Sequence, residues 1–338
     1  MLDHGADLEA QENNHNTPLH LAASQGKLTA AQALLEHHAN VHAQGLNSKT
    51  PLHCASRLGY PDIIQLLLGH GADLEAQDNS HNTPLHLAAW EGKLTAAQAL
   101  LEHHANVHAQ GLKSSTPLHY ASYNEGPDVI QLLLEHGADL EAHDCNRETP
   151  LHVVAAYGKP AAAQALLERH ADVHARGLDT TTPLHYASYR GCPDIIQLLL
   201  DHGADPEAQL DNHNTPLHLA SWQGKLTAVQ ALLEHHANVH AHGQNSRTPL
   251  HYASYIGYRD IMQLLLERRA DVNAQADERE TSLHLAVTGG QMEAVRLLLR
   301  YGASIHSQNN NRRTPFQLAS EIGSQEIMDL LHENMQRE

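Results

Sequence analysis

A single interval governs this chain. Thr17, Thr50, Thr83, Thr116, Thr149, Thr182, Thr215, Thr248, Thr281 and Thr314 each open a similar stretch, and successive members lie 33 residues apart. A fixed short period implies a row of like units that bury their apolar faces against neighbours, so the 338 residues need not be divided among globular domains. The inventory of side chains agrees. Aromatics make up 4%, Phe316 is the one phenylalanine, and Ala, Leu, Gln and Glu recur throughout. Leucines and small residues must supply most of the buried surface, which argues against one deep globular core.

Within a period, Thr83 can accept the free N–H groups that open a helix, and Pro84 fits the first turn, where a missing N–H costs little. Leu85, Ala88 and Ala89 then face neighbours, and Gly92 ends the short helix. A second helix is predicted over Thr95 to His103, with Ala99, Leu100 and Leu101 as its apolar surface. Ala105 to Lys113 has the length and polarity of a projecting turn or short hairpin before Thr116 starts the next unit. Helices this short do not persist alone in water, so stacking must stabilise them.

TPLH stands at 17, 50, 83, 116, 149, 182, 215 and 248, followed by TSLH at 281 and TPFQ at 314. In these phased motifs the sequence resembles the ankyrin-repeat family over nearly its whole length. The resemblance implies an all-α fold, an α-solenoid of stacked antiparallel helix pairs with short β-hairpin-like projecting turns. It also implies protein binding through the hairpins and the inner helices, and a hydrogen-bonding role for the motif histidine, here His20 through His284. Gln317 replaces that histidine in the last unit. Two departures put local geometry in question. The turn position that favours Gly in the family holds His15, Ser48, His81, Ser114, Arg147, Thr180, His213, Ser246, Arg279 and Arg312. The Gly closing the second helix is kept at 71, 137, 203 and 302 but replaced by His38, His104, His170, His236 and Arg269.

A longer period lies inside the short one. Residues 28–46 and 94–112 share LTAAQALLEHHANVHAQGL, whereas 62–76 and 194–208 read DIIQLLLGHGADLEA and DIIQLLLDHGADPEA. Two unit types alternate, which points to duplication of a repeat pair. The expected organisation is one array over 1–338: a partial N-terminal remnant at 1–16, nine units over 17–313 and a C-terminal capping repeat at 314–338. In the cap, Ile327, Leu330 and Leu331 should face inward. The incomplete first unit predicts an array excised from or shortened relative to a longer one, with room for an additional domain in a longer native chain.

Counting seven residues beyond each repeat threonine gives Ser24, Arg57, Trp90, Tyr123, Ala156, Tyr189, Trp222, Tyr255, Thr288 and Glu321. The middle of that series is aromatic. Trp90, Tyr123, Tyr189, Trp222 and Tyr255, with Tyr157 one position out of phase, form a candidate recognition strip, since such rings bury apolar area at modest rotamer cost. The competing role is internal packing beside Tyr120, Tyr186 and Tyr252. Turn tips offer a second candidate surface, in which His81, Lys113, Arg147, His213 and Arg247 would select polar features of a partner.

The remaining chemistry is mostly exclusion. A formal net charge of −18 repels phosphate backbones, which disfavours nucleic acid and favours a protein partner with a basic surface. No stretch approaches eighteen uninterrupted apolar residues, so no membrane association is expected. Cys54, Cys145 and Cys192 form no CxxC and are odd in number, which suits a reducing compartment and predicts a cytoplasmic location with the nucleus left open. GxxxxGK[ST], HExxH, GxSxG and the deaminase signature are missing, so no catalytic residue, cofactor or metal is assigned. The 31 histidines, clustered at His37, His38 and His42 and their repeats, leave a pH- or metal-responsive scaffold as a lesser alternative. A structural spacer within a larger protein is the other. The preferred expectation is a noncatalytic scaffold that binds a protein through concave inner helices and hairpin tips.

Overall fold

The computed structural model describes residues 7–124 and 126–336. Twenty α-helices occur among them, in two compact units divided at Asp172 and Val173. Each unit contains five helix pairs. In the first, the pair Pro84–Trp90 and Leu94–Glu102 is representative; in the second, it is Pro216–Trp222 and Leu226–Glu234. Within a unit, first helices pack on first helices and second helices on second helices. The expected all-α stack of helix pairs is what forms.

Burial explains how helices of seven and nine residues survive. Leu85, Ala88 and Ala89 of one helix and Ala96, Ala97 and Leu100 of its partner are almost fully buried. Each buried leucine contributes about 1.5–3 kcal/mol, whereas an isolated helix of this length would be unstable. In the last repeat the closing helix extends over Gln325–Met335, with Ile327 and Leu331 buried and Leu330 half-buried above its polar outer face.

The first helices before the last repeat open with a shared polar lock. The backbone N–H of Thr83 donates to Nδ1 of His86 at 3.1 Å, and Nε2 of His86 donates to the carbonyl of Ser115 in the next repeat at 3.1 Å. A backbone N–H can only donate and a carbonyl can only accept, so the imidazole is neutral with its proton on Nε2. The pattern recurs at His20, His53 and His119 in the first unit and at His185, His218, His251 and His284 in the second. Burial drives the pKa of His86, His218 and His251 down to about 4, partly opposed by these carbonyl contacts. In the last repeat Gln317 Oε1 accepts the Thr314 N–H at 2.9 Å, doing half of the histidine's work.

The turn positions that lack glycine keep the glycine conformation. His15, His81, Arg147, His213 and Arg312 all have φ between 57° and 64°. At the other tips two successive residues are left-handed: Asn47–Ser48, Lys113–Ser114, Asp179–Thr180, Asn245–Ser246 and Glu278–Arg279. Two adjacent positive-φ residues define the type I′ turn that suits a hairpin, and the Lys49 N–H to Leu46 carbonyl bond at 3.3 Å closes one of them. The tips are hairpin turns without strands: one antiparallel bridge, Gln275 to Thr281, is the extent of pairing among the described residues. His38, His104, His170, His236 and Arg269 are likewise left-handed, with φ between 63° and 67°, where other repeats use Gly71 or Gly137.

The alternation of unit types therefore has a backbone counterpart. A type I′ tip turns a carbonyl outward to the single-residue tip that follows, from Asn47 to the Asn79 N–H at 2.9 Å, from Lys113 to Cys145 at 2.8 Å and from Asp179 to Asp211 at 3.3 Å. The exception is the tip at Asn245, which is followed by a second type I′ tip and makes no such bond among the described residues. Gly111 shows why four of the five type I′ tips begin with glycine, the fifth beginning with Ala276. A Cβ at Gly111 would come within 2.4 Å of Asn82 Oδ1, and one at Gly243 within 2.2 Å of Asn214 Oδ1.

Candidate functional site

In the first unit the sequence-predicted rings come together. Trp90 packs on Tyr123 with ring centroids 4.9 Å apart, and Tyr123 meets Tyr157 edge-on at 4.6 Å. Tyr120 lies beneath them, 5.6 Å from Trp90 and 5.1 Å from the imidazole of His86. Tyr120 is buried, and its hydroxyl donates to Asn82 Oδ1 at 2.6 Å, so this ring is part of the packing while Trp90, 45% exposed, is surface. Tyr123 sits between those extremes, and burial with its acidic and phenolic neighbours pushes its hydroxyl pKa up to about 12. It remains a neutral hydrogen-bonding group across the physiological range.

A side chain that sequence reasoning did not single out fixes this cluster. Tyr123 follows a first helix shortened to Pro117–Ala121. Asn124, next to it, donates from Nδ2 to the carbonyls of Ala89 and Trp90, closing the end of the preceding repeat's helix directly under the indole. The helices equivalent to Pro117–Ala121 in other repeats of this type end on a left-handed glycine, Gly59, Gly191 or Gly257.

The second unit arranges its rings differently. Trp222 is also 45% exposed and stacks on buried Tyr252, centroids 5.1 Å apart and planes 24° from parallel. The Tyr252 hydroxyl donates to Asn214 Oδ1 at 3.2 Å, reproducing the Tyr120–Asn82 bond. Tyr189 and Tyr255 are exposed, and no ring contact joins either to this pair among the described residues.

Two adjoining cavities of about 290 Å³ each lie between tips and first helices of the first unit. Leu87, Trp90 and Tyr120 form the helix wall of one, with Leu112 from a tip opposite; His20, Ser24 and Cys54 contribute to the other, with Leu46 and Asn47 from a tip. Lys49 and Arg57 line both. Among the described residues neither cation forms an ion pair. Arg57 belongs to the same seventh-residue series as Trp90, but nothing in a single sequence signals that it shares a cavity with a tip lysine.

The predicted tip residues do not converge on this groove. His81, Lys113, Arg147 and His213 are exposed at the tips, and none lines either cavity. The left-handed backbone aims His81 and His213 back along their own turns, each Nδ1 lying 3.3 Å from Oε1 of Gln77 or Gln209. Arg247 is half-buried and ion-paired with Glu280 at 3.6 Å, which makes it partly a structural cation of the second unit.

Part of the histidine-rich edge is engaged in local bonds. At the ends of four second helices, Nδ1 of His37, His70, His136 and His202 lies 2.8–2.9 Å from the carbonyl four residues earlier. Among the described residues no group of three or more His, Cys, Asp or Glu side chains is placed to hold a metal ion. Cys54, Cys145 and Cys192 are free thiols, and burial raises the pKa of Cys54 and Cys192 despite nearby arginine and lysine. No described helix is long and apolar enough to cross a membrane.

Comparison with known proteins gives a consistent answer. A family model described as "Ankyrin repeats (3 copies)" matches residues 1–78, 44–111, 75–144, 118–210, 184–276 and 272–337. Among solved structures, the chain is similar to the human ASB11 ankyrin repeat domain at 30% identity and a TM-score of 0.60, covering 65% of this chain and 98% of that one. It is also similar to the ankyrin repeat domain of Bcl-3, a member of the IkappaB protein family, at 30% identity and 0.56, covering 64% and 98%. No curated protein sequence matches the chain.

Proposed function

The chain belongs to the ankyrin-repeat family, and from that premise we propose that it captures an extended or convex protein partner along its first-helix face, with the Trp90 cluster as the principal anchor. As in the family generally, the array is a noncatalytic scaffold for protein–protein interaction. The observation that carries the finer reading is a large indole, nearly half exposed, held rigid by Tyr120, Tyr123 and Asn124 beside a groove. Rigid amphipathic rings lose little entropy on binding and dominate interface energetics. Trp222 and Tyr255 would extend the contact in the second unit, and the tips at His81, Lys113, Arg147 and His213 would select at the rim.

The formal charge of −18 supports faster approach by partners with a basic surface, an effect that weakens with salt. Three free thiols accord with a reducing, cytoplasmic setting. Proximity capture and pull-down from cells provide the test, comparing the native product with a Trp90→Ala/Tyr123→Ala variant whose helical content and thermal midpoint are checked first. Reproducible partners lost from the folded variant support capture through this face. An identical set from both chains removes the cluster from binding, and no reproducible partner at all favours a structural spacer.

A further inference from the structure

The groove of the first unit carries a charge opposite to that of the chain. Lys49 and Arg57 line both cavities and lack ion-pair partners among the described residues, within a molecule whose formal net charge is −18. The carboxylate of Glu91 lines one cavity and pairs with neither cation. The surrounding wall is apolar, formed chiefly by Leu87, Trp90 and Leu112. Arg57 is exposed and Lys49 half-buried. The Lys49 backbone carbonyl serves the repeat lock by accepting from His20 and Gly45, whereas its ammonium is not part of that lock.

Resting on the reading that this face captures a partner, we propose that the groove receives an extended peptide segment bearing one acidic side chain and one bulky apolar side chain two residues apart. The carboxylate sits with Lys49 and Arg57, and the apolar group packs on Trp90 and Leu87. Cavities of about 290 Å³ lie at the lower end for ligand sites and suit single side chains rather than a compact small molecule. In an extended strand, alternate side chains share a face, which sets the two-residue spacing. The acid is single within an otherwise neutral or basic segment. A uniformly acidic peptide is repelled by the whole chain, whereas one carboxylate in contact with two cations is attracted inside the screening length of about 8–10 Å.

A random linear peptide library panned against the full chain tests this, in parallel with Lys49→Glu/Arg57→Glu and Trp90→Ala variants whose folding is verified by thermal melts. Expected enrichment on the native chain is Asp or Glu two positions from Leu, Ile, Phe or Met, with the charge preference reversed to Lys or Arg on the double variant. Enriched peptides are then titrated in a Trp222→Phe background, where Trp90 is the sole tryptophan reporter. Replacing the acid by its amide should weaken binding about tenfold with Lys49 and Arg57 present, and have no effect with Lys49→Gln/Arg57→Gln. Enrichment that depends on Trp90 but has the same charge preference on both chains overturns the acid-reading groove and leaves the aromatic anchor standing. No enrichment on the native chain overturns both.

Discussion

Trp90 and Trp222 stand four repeats apart, equally exposed, each over a tyrosine whose hydroxyl bonds the asparagine of the preceding tip. What surrounds them differs. Where the first unit has Lys49 and Arg57, the equivalent positions of the second hold Thr181 and Tyr189; where Asn124 anchors the loop under Trp90, Ile256 follows Tyr255; and Tyr157, which packs on Tyr123, corresponds to Gly289. A Cβ at Gly289 would meet the Tyr255 carbonyl at 2.1 Å, so this backbone leaves no room for a side chain to start where Tyr157 starts in the first unit. The repeat frame fixes where an aromatic anchor stands. The variable residues around it decide what that anchor can bind.

If the frame is common to both units, its defects should cost the same in each. His86→Ala and His218→Ala each remove a fully buried ring and two hydrogen bonds and should lose about 3 kcal/mol or more in urea unfolding. A clear inequality would break the comparison at its base. The same histidines set an acid limit. Their folded pKa values near 4 lie below the ordinary value of 6.5, so the unfolded chain binds protons more readily. Their contribution is complete above about pH 6.5 and declines as pH falls towards 4, by up to about 1.4 kcal/mol per pH unit for each. Urea midpoints at pH 7, 6 and 5 should fall progressively, and His86→Gln should flatten that slope as much as His218→Gln.

The contacts between tip and frame come next. Gly111→Ala and Gly243→Ala push a methyl group into Asn82 and Asn214 and should each cost about 1–3 kcal/mol, read as a shift in urea midpoint. Binding should separate what stability does not: Trp90→Ala is expected to weaken a captured partner by about 2 kcal/mol and Trp222→Ala by less, measured by titration calorimetry on folded variants. Equal losses would place the anchor in both units. The smallest effect is a gain. His104→Gly removes a left-handed non-glycine residue and should stabilise the chain by about 0.5–1 kcal/mol, with His236→Gly matching it in thermal denaturation.

Much of the frame was legible because each signal is local and copied. Thr83 and Pro84 placed a first helix that runs Pro84–Trp90, and the second helix expected over Thr95 to His103 runs Leu94–Glu102. Non-glycine residues at the turns left hairpin shape open. The structure keeps φ positive at each of them, since the surrounding lock over-determines the backbone. The two tip classes had a faint signal in glycine at 45, 111, 177 and 243, but the asparagine that crowds the backbone at 45, 111 and 243 lies 29 residues back, in the previous repeat. The site was legible only in its rings. Tyr120 and Tyr123 occur in one YASY stretch, yet one is buried frame and the other half-exposed, and the sharing of two cavities by Lys49 and Arg57 depends on how a tip leans over a helix.

The carbonyl that a type I′ tip offers to a following single-residue tip has a consequence for how such a chain can change length. Excising two consecutive repeats rejoins a type I′ tip to the kind of neighbour it had before, so the seam heals; excising one sets like tips side by side and forfeits a bond. The junction after Asn245 already has that second form within a folded unit. Whole cassettes of two are therefore the silent currency of growth and shrinkage here, while single-repeat changes leave a scar that can be found by turn type alone.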